Sequence, residues 1–201
     1  SFPVGRVEFQ KIHPMSFSEF LLANGEEKLL DRWNHATQKI PVSEIAHKKL
    51  WEHFKSYLIV GGLPSAVLTY LEFHSNPQKA YLSVREKQED LITAYIADMA
   101  KHSGKINSMH LERLWRNVPA QLARTLDGST RRFQFKDVLP GRNKYSQLVG
   151  VIDWLQKAGL ILKVPLVNQA HLPLLAFSKE SFFKLYSFDI GILGALSQLR
   201  S

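Results

Sequence analysis

The sequence predicts a mainly α, α+β protein: a helical, lid-like bundle followed by a winged helix-turn-helix with a small β-hairpin. Three observations lead there. Capping signals and apolar periodicity mark a run of helices through the first 125 or so residues. The stretch Arg131 to Val167 then holds a basic loop, one amphipathic helix, a glycine stop and a strand. Finally, the positive charge gathers in the same place. From Lys101 to Ala170 there are 12 Lys or Arg against 4 Asp or Glu, a net of +8; elsewhere 14 of each cancel.

The elements can be justified in order. Ser1 to His13 has extended character: Pro3 and Gly5 break a helix, and Val7, Phe9 and Ile12 partly alternate. A lone strand needs a sheet to join. Ser16-Phe-Ser-Glu19 is a capping box opening a short helix to Ala23, and Asn24-Gly25 stops it. Glu26 to His35 reads as a second helix with Leu29, Leu30 and Trp33 inward. Pro41-Val-Ser43 opens a third, with Leu50, Phe54, Tyr57 and Leu58 on its apolar side and Gly61-Gly62 at its end. Pro64 suits the first position of the next helix, where its missing amide costs little.

Asn76-Pro77 caps a long helix reaching about Lys101. Val84, Leu91, Ile92, Tyr95 and Met99 form its core face; Arg85, Glu86, Lys87, Glu89 and Asp90 form its solvated face. A further helix begins near Asn107 or Ser108 with Leu111, Leu114, Trp115, Val118 and Leu122, and Pro119 predicts a kink or break. Leu148, Val151, Ile152 and Leu155 then share one face of a helix ended by Ala158-Gly159. Leu160 to Val167 is a strand, with Pro165 suggesting an edge or bulge. Asn168 to His171 is a turn or wing, apolar residues return at Leu172–Phe177 and Phe182–Tyr186, and Phe188 to Leu199 is a last short helix.

Composition sets limits on function. The chain is 45% hydrophobic and 22% charged, as in a globular protein with a real core. The absence of cysteine excludes disulfides, thiolate metal sites and a cysteine nucleophile, and fits the cytoplasm. No apolar run approaches the ~20 residues of a membrane span. The sequence lacks an initial Met and opens on an apolar extended stretch, which reads as part of a longer protein.

Candidate chemistry is sparse. Gly61-Gly62-Leu-Pro64 is a Gly-rich turn without the Lys-Ser/Thr of a phosphate loop, so a tight helix–helix turn explains it better. The eight histidines lack ligand spacing, so no metal site is expected. Glu86, Glu89 and Asp90 fit helical salt bridging, and Asp189 a helix N-cap. No catalytic residue is assigned. The basic segment instead suits a polyanion such as DNA or RNA. Arg142, Asn143, Lys144, Ser146 and Gln147 would approach a groove, while Arg131, Arg132, Lys136 and Lys163 would meet phosphates. The plain alternative is a solvated basic face, or one that docks an acidic protein surface.

Eight short segments come in a familiar order: Ser1-Phe-Pro-Val-Gly-Arg6, His13-Pro-Met-Ser-Phe-Ser-Glu-Phe20, Gly61-Gly62-Leu-Pro64, Tyr95-Ile-Ala-Asp-Met-Ala-Lys101, Val118-Pro-Ala-Gln-Leu-Ala123, Trp154-Leu-Gln-Lys-Ala-Gly-Leu160, Leu172-Pro-Leu174 and Phe183-Lys-Leu-Tyr-Ser-Phe-Asp-Ile-Gly191. Together they resemble the prokaryotic predicted P-loop ATPases of the AAA-like type with an uncharacterised C-terminal domain. The resemblance implies that residues 1–24 are the last strand and helix of the ATPase domain, 25–103 a lid-like region, 104–187 a winged helix, and 188–201 the start of a restriction-nuclease-like domain. It implies a non-catalytic fragment, with ATP and Mg held by the Walker motifs of the intact protein, and leaves room for an oligomer. Arg6 would face nucleotide in the intact protein or simply flank the strand. Two roles follow: a nucleic-acid-binding arm, or a scaffold coupling the ATPase to its C-terminal domain or a neighbouring subunit. The direction in which the basic side chains point discriminates between them.

Overall fold

The computed structural model describes residues 8, 10–126, 132–169 and 171–198. The molecule is mainly helical, with one two-stranded antiparallel hairpin near its C-terminal end. The expected N-terminal strand falls mostly outside the described residues; Glu8 and Gln10–His13 pair with nothing as strand.

Helix α1 (Phe17–Ala23) begins at the expected capping box, where the Ser16 amide donates to Glu19 Oε2 at 2.7 Å. Glu19 is held below the usual carboxylate range, first by that amide and then by the Ser16 hydroxyl. Phe20 and Leu21 point into two different apolar clusters. In α2 (Glu27–Asn34) Leu29 and Leu30 are buried, but Trp33 stays partly exposed and leans on Phe17, ring centroids 5.5 Å apart.

Helix α3 (Glu44–Val60) is capped by Ser43, whose hydroxyl accepts from the Ala46 amide. Leu50, Phe54 and Tyr57 of the expected apolar side are half-buried and pack against the N-terminal apolar residues, Leu58 is exposed, and the fully buried residues of the helix are Ala46, Ser56 and Val60. The Gln88 amide group donates to the Ile59 and Val60 carbonyls at 3.0 and 2.9 Å, so the end of α3 must lie against another helix.

Pro64 starts α4 (Pro64–Glu72), and Asn76 caps α5 (Pro77–Ser103). Val84, Gln88 and Ile92 form one buried stripe of α5, a polar residue standing where the apolar repeat has a gap. Arg85, expected in solvent, is half-buried and donates to Gln88 Oε1 at 2.7 Å and more weakly to the Gly191 carbonyl.

Helix α6 (Lys105–Leu126) begins two residues before expected, after Gly104, and runs through Pro119 without a break. Leu111, Leu114, Trp115 and Val118 are buried on it. The next segment is stitched on both sides. The Phe133 amide donates to the Phe183 carbonyl at 2.8 Å, and the Gln121 side chain makes two bonds to the Gln134 backbone. Residues 136–142 are tight turns rather than helix. Then come α7 (Tyr145–Lys157) and a stop at Gly159. β1 (Ile161–Val167) pairs antiparallel with β2 (Ser178–Ser187), with an irregularity after Pro165. The apolar run before β2 forms a 3-10 turn, Leu174–Phe177. Helix α6, a segment of tight turns, α7 and the hairpin thus follow one another in the chain.

Helix α8 (Ile190–Leu196) returns to the bundle and packs on α3 and α5. The largest core runs from Ile92 and Met99 of α5 through α6, α7 and the hairpin to Ile192 and Leu196. It crosses the expected limits at 103 and 187 without a gap in packing. Leu63 packs against both this core and the cluster around Phe20 and Val60. Among the described residues, no helix is long and apolar enough to cross a membrane.

Candidate nucleic-acid interface

The basic loop is anchored by two apolar residues. Val138 and Leu139 are buried in the core, so the chain on either side of them is held at the surface. Gly141 takes a positive φ of 72°, and the Arg142 amide returns to the Leu139 carbonyl at 3.0 Å. This tight return delivers Arg142, Asn143 and Lys144 directly to the N-terminus of α7.

The Gln147 side-chain oxygen then accepts from the Asn143 and Lys144 amides at 2.9 and 3.1 Å. Gln147 therefore caps its own helix, leaving its side-chain N–H group for an outside partner. Asn143, Lys144 and Ser146 are exposed, and Arg142 is half-buried with a weak bond to the Gln147 carbonyl at 3.4 Å. No acidic residue lies in the first turn of α7. Free amides and the helix dipole make that terminus favourable for an anion.

Lys136 is exposed on the same loop. Among the described residues, none of Lys136, Arg142 or Lys144 has a carboxylate within 4 Å. Two cations of α3 differ from them: Lys49 meets Glu26 at 2.7 Å and Lys55 meets Glu52 at 2.8 Å.

Two further residues join this positive region from α6, and sequence reasoning passed over both. Arg113 is exposed, and one turn earlier His110 is half-buried with its Nδ1 lacking a hydrogen-bond partner. Burial pushes the His110 imidazole down, and the neighbouring Arg142 and Arg113 push it further. No spacing in the sequence ties His110 to Arg142; packing of α6 against the loop does.

Two of the expected phosphate contacts, Lys163 and Arg132, lie against aromatic rings. Lys163 sits on the inner face of the hairpin, half-buried, with Nζ donating to the Tyr145 hydroxyl at 3.1 Å and lying 4.8 Å from the Phe183 ring centroid. Tyr145 donates in turn to Glu180 at 2.8 Å. Burial, then that hydrogen bond, pushes the Tyr145 phenol up to about 12. Lys163 is thus committed to an internal chain ending on a carboxylate. Arg132 lays its guanidinium over Phe182, 4.2 Å from the ring centroid. Arg131 lies outside the described residues. The expected set therefore divides: Lys136, Arg142, Asn143, Lys144, Ser146 and Gln147 come together, while Lys163 and Arg132 serve the hairpin.

A family model described as a domain of unknown function (DUF8612) matches residues 51–201, from within α3 onwards. No curated protein matches the chain, and no solved structure does.

Proposed function

The chain belongs to that family of unknown function, and we propose that its winged-helix half binds duplex DNA through the N-terminal turn of α7. In this reading it is the non-catalytic, DNA-contacting arm of a cytoplasmic P-loop ATPase of the AAA-like type, whose ATP and Mg belong to the Walker-bearing domain. The observation that carries it is the group of Lys136, Arg142 and Lys144, without acidic partners among the described residues, at a helix terminus whose first turn holds no acidic residue. Arg113 extends the same field from α6. Such a cluster gains by releasing counterions from a phosphate backbone. Asn143, Ser146 and the Gln147 amide group are the side chains placed to meet base edges.

Fluorescence anisotropy of a labelled duplex over a salt series tests this. Affinity is expected to fall steeply with salt. Arg142→Ala/Lys144→Ala should weaken binding and reduce the log–log salt slope by about 2, close to one unit for each lost phosphate contact. No binding at low salt would sink the proposal.

The coupling scaffold is the second reading, and one feature favours it. Phe17 and Phe54 pack edge to face at 5.3 Å, while Trp33 and Trp51 beside them stay partly exposed. Exposed aromatic surface of this kind is common at protein interfaces.

A further inference from the structure

Side chains alternate across a strand, so the hairpin has two faces. Ile161 and Lys163 of β1, with Phe183 and Leu185 of β2, turn towards α7 and the core. The other face carries Leu162 opposite Tyr186 and Val164 opposite Lys184. A half-covered sheet ordinarily puts polar residues on its solvent side. Here Leu162, Val164 and Tyr186 are 51%, 45% and 38% exposed.

Cations border this strip at one end. Arg132 covers the Phe182 ring at 4.2 Å and Lys179 approaches the same ring at 5.6 Å. Lys184 and Arg132 line one shallow cleft. Among the described residues, none of the three has a carboxylate within 4 Å, and the nearby Glu180 is taken by Tyr145.

A flat apolar strip beside unpaired cations matches a polyanion that also offers apolar planes. Duplex DNA encloses its bases, so Leu162, Val164 and Tyr186 would gain nothing from it. A single strand exposes them. An acidic peptide would satisfy the charges but offers no run of planar rings to the strip. Arg132 holds its guanidinium carbon 4.2 Å from the Phe182 ring centroid, and a base can stack beside such a pair.

We propose that the outer face of the β1–β2 hairpin binds a short single strand of nucleic acid, with bases over Tyr186, Leu162 and Val164 and phosphates towards Arg132, Lys179 and Lys184. This rests on the reading of α7 as a duplex-binding element and extends it: the chain then recognises a junction of duplex and single strand. The five residues from Phe182 to Tyr186 span about 13 Å, a reach of a few nucleotides.

Anisotropy with a labelled dT oligomer, a blunt duplex and the same duplex carrying a dT overhang tests the proposal on the full chain. Tyr186→Ala/Lys184→Ala should weaken dT binding about tenfold or more and abolish the preference for the overhang, with blunt-duplex binding within about threefold. Tyr186→Phe, which keeps the ring, should bind dT like the wild type and shows that the ring, not the hydroxyl, matters. Unchanged dT affinity in the double variant, or an equal loss on all three substrates, overturns the platform. So does a polyglutamate peptide that binds as tightly as dT. Failure of the α7 reading looks different: Arg142→Ala/Lys144→Ala would leave blunt-duplex binding intact.

Discussion

Asp189 is 5% exposed, and its carboxylate accepts from the Gly62 amide at 2.7 Å and the Ile192 amide at 2.9 Å. One side chain thus caps α8 and fixes the turn between α3 and α4. The glycines around it answer to space. A methyl group at Gly62 would strike the Met15 backbone, and one at Gly191 would strike Gln88 and Val60. Asp189→Ala should cost about 3 kcal/mol, because the buried amides lose their acceptor; urea denaturation measures it. The carboxyl carries a pH signature as well. Burial pushes it up, against the downward pull of the Gly62, Ile192 and Gly191 amides. A raised pKa in the folded state gives stability that is fully present below the ordinary value of 3.8 and is lost as pH rises through the raised one. Relative to Asp189→Asn, the wild type should therefore lose stability as pH climbs from 3.5 towards neutrality. A constant difference between the two would refute this. Asp189 as a cap was readable from local sequence. Its bond to an amide 127 residues away was not, since no local pattern encodes it.

Among the elements, α6 differs from the expectation of a break at Pro119. A proline inside a helix removes one bond and crowds the preceding turn, yet α6 continues across Pro119. Burial of Leu114, Trp115 and Val118 on its inner face holds it together. Pro119→Ala should accordingly stabilise the protein by about 1–3 kcal/mol, net of the unfolded-state entropy that proline removes. An increase in the urea midpoint at unchanged slope would confirm it, and a decrease would count against it. Helix starts at Ser16, Ser43 and Asn76 were legible because a cap acts within three residues. Most of the apolar side of α3 was legible too, since Leu50, Phe54 and Tyr57 pack inward, but the contact of Gln88 with its last turn was not, because no local pattern encodes it. The candidate site shows the same division. Arg142 and Lys144 were visible as charge beside a helix start, whereas Arg113 and His110 arrive from another helix. Strand alternation already placed Lys163 on the same side as Ile161, and that signal pointed to the inner face.

At the scale of the whole molecule, the cores are joined rather than separate. Leu63 packs into two of them, and α8 is seated on α3 and α5 while sharing the core of α6 and α7. Unfolding should follow one transition, with tryptophan fluorescence and far-UV circular dichroism coincident in urea. Gly62→Ala should lower both midpoints together, because its added methyl disturbs the junction where Met15 meets the α3–α4 turn; two separated transitions would contradict this. The same junction bears on the order in which the protein is made. The Gly62 amide has no carboxylate to meet until Asp189 has been synthesised, 127 residues later. At 5–20 residues per second, that interval is roughly 6–25 s. Throughout it, the end of α3 lacks the helix that covers it. Helices α1 to α3 thus leave the ribosome before α8 does, and reach their finished form only after it has followed.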